Sequence, residues 1–353
     1  MSLEKKKKVH ILAIETSCDE TALSFVTANG GLEKPTFEVH TDVVASQIKL
    51  HQPYGGVVPT VAKRAHLENL PILYKQIVDA GMDPAQLDFI TVTVGPGLEP
   101  ALWTGIEFAK GLAKQYDKPL IGTNHLEGHL YSILVSKERP DIKKIFPAIA
   151  LIVSGGHTVL LRMDDLISYK KIGETVDDAV GEAFDKVARM LDLPYPGGPE
   201  IERLAKEGDP HAIEFPRPMI GHKNYNFSFS GLKTSVLYHV RDLVKAGKEV
   251  PKADIAASFQ KAASDVLIKK ALRAAEEFDA RSIMISGGVS ANRTLRASFA
   301  EAIEKKFTNK KDRPVLIVSE FSTDNALMIS ASGYIDYLKS KKYKIEANGN
   351  LNL

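Results

Sequence analysis

An α/β fold in two lobes is predicted for this chain by three observations. Apolar runs of strand length alternate with periodic helical segments from end to end. The 353 residues exceed what a single hydrophobic core usually fills. Two strand-Ser-Gly-Gly units, at Ser154 and Ser286, hint at related halves, although each is too short to prove duplication.

The elements follow in order. Val9 to Ile14 and Thr21 to Val26 are β-type apolar runs joined by the acidic, hydroxyl-rich turn Glu15-Thr16-Ser17-Cys18-Asp19-Glu20. Pro59 to Ala80 reads as a helix, Phe89 to Val94 as a strand ending in Gly95-Pro96-Gly97, and Ala101 to Gln115 as a second helix. A short strand, Leu120 to Gly122, precedes a helix opened by Asn124-His125 and running through Leu134. Pro147 to Val153 and Thr158 to Arg162 form another hairpin around Ser154-Gly155-Gly156-His157. Helices are expected over Glu174 to Lys186, Glu200 to Glu207 and Asp254 to Phe278, the last free of proline and glycine. Arg281 to Ile285 is a strand leading into Ser286-Gly287-Gly288, and Leu295, Phe299 and Ile303 mark one face of the helix that follows. Strand Val315 to Val318 passes through Ser322-Thr323-Asp324-Asn325 into a final helix.

Composition narrows the function. With 44% hydrophobic and 25% charged residues the chain is neither disordered nor collagen-like. No apolar run approaches the ~18 residues of a membrane span, and the basic Met1 to Lys8 feeds straight into a strand, so an intracellular protein is expected. The single Cys18 fits a reducing compartment, and thiol catalysis there would need a partner base. Arg203 to Lys252 holds nine Lys/Arg against five Asp/Glu, a local +4 in a chain of net +2. Phe215, Tyr225, Phe227, Phe229 and Tyr238 lie within it. That mixture suits a nucleic-acid surface, but composition alone favours a solvated basic face over core aromatics.

His125 and His129, at i and i+4 on one helix face, have the spacing of two metal ligands, and a third would be required. Glu127 stands at i+2, off that face, so the zinc-protease pattern H-E-x-x-H is absent. Asp324 could complete a metal shell or simply cap the helix it precedes. The two Ser-Gly-Gly segments could cradle phosphate through backbone N–H groups or be tight turns, and neither fits a Rossmann or P-loop pattern. Asp19 and Asp185 would be acidic groups near such a phosphate.

Taken together, Glu15 to Thr21, Tyr54-Gly55-Gly56-Val57-Val58-Pro59, Gly95-Pro96-Gly97-Leu98, His125 to His129, Ser154 to Thr158, Gly181 to Lys186, Phe229-Ser230-Gly231-Leu232-Lys233-Thr234 and Thr323-Asp324-Asn325 resemble the catalytic-subunit family of tRNA threonylcarbamoyladenosine synthases. The resemblance runs in order from about Ile11 to Ser330 and points to the bacterial and organellar branch. Ile152 stands where the archaeal and eukaryotic branch has a tyrosine able to reach the metal. The resemblance implies the two-lobed actin, Hsp70 and sugar-kinase fold, with ligand and metal in the cleft. Lobes of 1–124 plus 325–353 and of 125–324 are expected.

It also implies transfer of a threonylcarbamoyl group from L-threonylcarbamoyl-adenylate to N6 of adenosine 37, in tRNAs that read codons beginning with A. One iron or zinc ion on His125, His129 and Asp324 is implied, with ligand contacts from Ile152, Val153, Ser154, Gly155, Gly156, Asp185, Gly198, Glu202 and Asn292 and a catalytic role for Asp19. The implied partners are the tRNA anticodon arm and either a paralogous non-catalytic subunit with a small P-loop ATPase or a second copy. Cytoplasmic location is expected, with the mitochondrion kept open. Glu99-Pro100 and Trp103 depart from the family pattern, which bears on a partner surface. A small-molecule O-carbamoyltransferase and a metallopeptidase are the alternative activities.

Overall fold

The computed structural model describes residues 8–136, 140–309 and 313–353, so the basic N-terminal stretch read above falls, but for Lys8, outside the described residues. The chain divides into two compact units, Met1–Ile142 with Thr323–Leu353, and Lys143–Ser322. These boundaries differ from the 124/125 and 324/325 expected from sequence. In chain order the first unit runs β1 (Lys8–Glu15), β2 (Glu20–Asn29), β3 (Thr36–Ser46), α1 (Ile48–His51), α2 (Pro59–Asp79), β4 (Phe89–Gly95), α3 (Glu99–Tyr116), β5 (Leu120–Asn124) and α4 (His125–Tyr131). After α5 (Ile142–Ile145) come β6 (Ala148–Val153), β7 (Thr158–Met163), β8 (Tyr169–Glu174), α6 (Val180–Met190), α7 (Gly197–Ala205) and α8 (Ser230–Lys245). The chain continues through α9 (Lys252–Glu277), β9 (Ser282–Ser286), α10 (Arg293–Lys306) and β10 (Val315–Val318), and α11 (Ala326–Lys339) returns to the first unit.

The first sheet has the order β3-β2-β1-β4-β5, with β1 antiparallel to β2 and parallel to β4, and β4 parallel to β5. The carboxyl ends of β1, β4 and β5 therefore share one end of the sheet. There the chain makes the Thr16–Asp19 turn, Gly95-Pro96-Gly97 and the start of α4. Leu12, Ile14, Ile90 and Val92 bury their side chains with Leu70 of α2 and Ile106 of α3. Ala13 and Ala22 pack with Ala326, Met328 and Ile329 of α11.

The second sheet, β10-β9-β6-β7-β8, repeats that topology: β6 is antiparallel to β7 and parallel to β9, which is parallel to β10. The topology thus occurs twice, but the two Ser-Gly-Gly units are not its equivalent parts, since both belong to the second sheet. Ile152 pairs with Ser286 in parallel register, so the two loops are neighbours at one end of the same sheet. Its core joins Ile149, Leu151 and Val153 to Phe184, Phe259 and Phe299.

Besides the four-residue helices α1 and α5, three elements escaped the sequence reading. Two are outer strands, β3 and β8, each with a single buried residue among half-buried and exposed ones, so neither spells a buried apolar run. The third is α8, hidden in the base-rich stretch with only Leu232 and Val236 buried. Helix α6 starts at Val180 rather than at Glu174, because Glu174 ends β8 and residues 175–179 form the connection between the two. Phe215, Tyr225, Phe227 and Phe229 are buried in the second-unit core, so they present no ring faces for stacking on bases. Tyr238, 50% exposed, is different: Arg241 lies over its ring.

Candidate functional site

In the first unit α4 begins where β5 ends. Asn124 caps it, its side-chain oxygen accepting from the N–H groups of Leu126 (2.8 Å) and Glu127 (3.4 Å). One turn apart, the rings of His125 and His129 lie 4.8 Å apart. Gly128 allows α4 to press on α11, since a Cβ there would come 2.9 Å from Ile329 Cδ1. At the start of α11, Asn325 is the capping residue, its side chain accepting from Met328 N–H at 3.0 Å. The cap is thus supplied by Asn325, which leaves Asp324 outside the helix. Asp324 Oδ1 lies 3.1 Å from His129 Nε2 and 3.6 Å from His125 Nε2. One ligand atom from each of the three residues falls within 4.8 Å of the others.

A residue that the sequence reading left without a role stands behind this group. Glu15, fully buried at the end of β1, places Oε2 3.3 Å from His125 Nδ1, and Ser17 Oγ is 3.1 Å from the same nitrogen. The carboxylate is itself held, accepting from Thr93 Oγ1 and from Ser17 N–H, each at 2.5 Å. A carboxylate on Nδ1 fixes the tautomer that turns Nε2 toward a metal. Burial opposes charge on His125, but Asp324 and Glu15 outweigh it and raise its pKa to about 9. Burial likewise pushes Glu15 up, and the charge and hydrogen bond of His125 reverse this to leave it below its usual value. His129 is fully buried, and neither ring nitrogen makes a hydrogen bond. Two imidazoles and a carboxylate converging on an otherwise unsatisfied nitrogen fit a transition metal. The signal for Glu15 was present in the sequence: an acid ending the apolar run Ile11-Leu12-Ala13-Ile14 must have a partner if it is buried.

Two other expectations about this region can be decided. Glu127 gives its carboxylate to Lys341 Nζ (2.9 Å) and Tyr343 OH (2.8 Å), away from the histidine pair, so it is not available as a peptidase base. Burial, followed by the carboxylates of Asp19, Asp324 and Glu20, pushes the Cys18 thiol well up, which keeps it protonated and unreactive at neutral pH. Asp19 is itself buried in the same turn. Burial and the neighbouring Asp324 and Asp19 carboxylates also raise Glu20, to about 10.

In the second unit the Ser154–His157 loop is closed by Ser154 N–H to His157 O (2.8 Å) and His157 N–H to Ser154 Oγ (3.1 Å). Gly155 is exposed, and at both Gly155 and Gly156 the space a Cβ would take is open. Gly287, at φ +89°, lies so close to β6 that a Cβ would meet Val153 O at 2.4 Å. Only glycine fits both the backbone angle and the contact. Ile152 and Val153 are wholly buried strand residues. Asp185 Oδ1 accepts from Gly197 N–H (2.7 Å) at the start of α7, the helix that also carries Gly198 and Glu202. Glu202 accepts from Arg293 N–H (2.8 Å). Asn292 caps α10 by accepting from Leu295 N–H, and donates to Gln260 Oε1, both at 2.8 Å. Arg296, which sequence reasoning also missed, donates to Ser290 O (2.5 Å) and Ser322 Oγ (3.1 Å), bracing the second glycine loop.

Residues 38–331 match the family model described as tRNA N6-adenosine threonylcarbamoyltransferase. The chain belongs to that family. The Thermosipho africanus threonylcarbamoyltransferase is 48% identical to it, over 97% of this chain and 99% of its own. The Bacillus subtilis (strain 168) enzyme is 44% identical, over 98% and 96%. Among solved structures, T. kodakarensis HypF superposes with a TM-score of 0.62 at 14% identity, covering 97% of this chain and 49% of that one. This last likeness speaks to fold alone, the actin- and sugar-kinase-like class expected from sequence. The threonylcarbamoyltransferase family accounts for the reaction class: the chain is a transferase of tRNA modification. No described helix is long and apolar enough to cross a membrane.

Proposed function

We propose that the chain transfers the threonylcarbamoyl group of L-threonylcarbamoyl-adenylate to N6 of adenosine 37, in tRNAs whose anticodons read codons beginning with A. The N6–C bond forms, the acyl–phosphate anhydride bond breaks, N6 loses a proton and AMP departs. The observation that carries the reading is the convergence of His125, His129 and Asp324, backed by Glu15, in a chain of this family.

The adenine amine is a weak nucleophile because its lone pair is delocalised into the ring, so it needs an activated acyl donor. An iron or zinc ion on His125, His129 and Asp324 would supply Lewis acidity toward the carbamoyl carbonyl. Gly155 and Gly156, with Gly287 and Gly288 beside them on the same sheet, offer backbone N–H groups to the phosphate that leaves. Of the other ligand contacts in this reading, Asp185 and Glu202 hold the glycine-led helix α7 and its neighbour α10 in place. Asn292, spent on the α10 cap and on Gln260, shapes the nucleotide loop, whose edge Ile152, Val153 and Ser154 form. Asp19 accepts the proton lost from N6.

Adenosine 37 lies in an anticodon loop, where a base can be unstacked and read, and the +4 stretch supplies cations for the phosphates of that arm. In this reading the chain works in the cytoplasm beside its tRNA, with a paralogous subunit and a small P-loop ATPase or as a pair of copies. The test is to incubate purified chain with the adenylate and unmodified tRNA, digest to nucleosides and search for threonylcarbamoyladenosine by mass spectrometry. Product supports the reading. Its absence from metal-loaded protein, both alone and with the partner subunits added, would overturn it.

A further inference from the structure

Behind the Thr16–Asp19 turn lies a buried polar chain that the ligand group does not use. His66, on α2 and fully buried, places Nε2 3.0 Å from the Cys18 carbonyl oxygen and Nδ1 2.8 Å from Thr21 Oγ1. A carbonyl only accepts, so Nε2 carries the proton, and Nδ1 accepts from the Thr21 hydroxyl. Burial holds the imidazole pKa below its usual value, in keeping with this neutral form. Gln47 completes the chain. Its backbone N–H donates to the Asp19 carbonyl at 2.9 Å, and its side chain lies 3.2 Å from both His66 Nδ1 and His51 Nε2. Both carbonyls of the Cys18–Asp19 dipeptide are therefore gripped, one by His66 and one by Gln47. From the same turn, Ser17 Oγ reaches His125 Nδ1.

We propose that His66 is a positioning residue for the transfer reaction. Its Nε2–H pins the Cys18 carbonyl, and through that peptide it fixes where Ser17 meets His125 and where the Asp19 carboxylate sits. His66 makes no hydrogen bond or ion pair with His125, His129 or Asp324, so its effect is on geometry rather than on metal retention. The inference rests on the assignment of this turn to the reaction.

Three variants test it in the full chain. In His66→Asn the amide overlays Nδ1, keeping the Thr21 contact and losing the Cys18 bond; in His66→Gln it reaches the Nε2 position and can restore that bond. His66→Asn is expected to lower kcat about 10- to 100-fold. KM for tRNA, bound metal per chain and thermal unfolding should stay near wild type. The imidazole nitrogen NMR signals of His125 should move, and His66→Gln should return both kcat and those signals toward wild type. Equal losses in the two variants, an unchanged kcat in His66→Asn, or a loss that only tracks the unfolded fraction would each overturn the proposal. Asp19→Asn separates the two layers: full activity there removes the premise about the turn. Full activity of His66→Asn beside an inactive Asp19→Asn removes the role of His66 alone.

Discussion

The two units carry the same five-stranded topology and opposite chemistries. In each, a hairpin and a third antiparallel strand occupy one side, two parallel strands the other, and the loops of interest leave the same end of the sheet. In the first unit that end of the sheet carries Glu15, Ser17, Asp19 and His125, polar or ionisable groups that are all buried. In the second it carries Ser154-Gly155-Gly156 and Ser286-Gly287-Gly288, where backbone rather than side chain is on offer. The topology supplies positions, and residue type at those positions decides whether ionisable side chains or bare backbone N–H groups stand at the end of the sheet. The first unit pays with buried carboxylates, each of which needs a partner.

That contrast can be broken at its strongest point first. His129→Ala should abolish metal binding and cut transfer by more than about 100-fold, since a lost ligand costs more than a lost outer partner. The fold should survive, because the His129 side chain makes no hydrogen bond. Metal analysis and circular dichroism on the same preparation check both halves, and unchanged metal content would refute the ligand assignment. Glu15→Gln should weaken metal affinity by about 10- to 100-fold, because the amide cannot orient His125 as the carboxylate does. Competition with a chromogenic chelator measures it.

The second unit should respond differently. Gly287→Ala forces a Cβ into Val153 O at a positive φ and should cost about 1–3 kcal/mol of stability, read by denaturant unfolding, while the metal content stays at wild type. Metal loss in that variant would contradict the division of labour between the sheets. The smallest effect is expected at Lys270, buried on α9, whose ammonium donates to Asn224 O (3.0 Å). Burial, and then the charge of Arg273, lower its pKa from 10.5 to about 8. Between those values the unfolded chain binds the extra proton, so stability rises with pH from about 8 to 10.5, and the penalty is fully present below 8. Lys270→Met should therefore stabilise the protein at pH 7 by on the order of 1 kcal/mol, a gain that fades toward alkaline pH. Arg273 still satisfies the Asn224 carbonyl in that variant. Parallel unfolding curves for the two proteins at every pH would rule this out.

What was legible in the sequence follows the range of the interactions concerned. The central strands β1, β4, β6 and β9 read clearly because they are buried on both faces and spell apolar runs. Outer strands β3 and β8 did not, because each buries only one residue fully and its pattern is set by neighbours rather than by its own composition. The aromatics of the base-rich stretch show the same limit: composition put rings among cations, and only packing buried Phe215, Tyr225, Phe227 and Phe229 while leaving Tyr238 half exposed.

At the site, the sequence by itself determined the residue types, the helical spacing that stacks His125 over His129, and the displacement of Glu127 from their face, all consequences of a local 3.6-residue period. It left Asp324 between two roles, and the tertiary structure separated them by giving the cap to Asn325 and bringing Asp324 to the histidines. Glu15 behind His125, His66 behind the turn and the pairing of the two glycine loops were likewise decided only in three dimensions. Each joins residues far apart in the chain, whose meeting depends on strand order and helix packing, and no local periodicity encodes those.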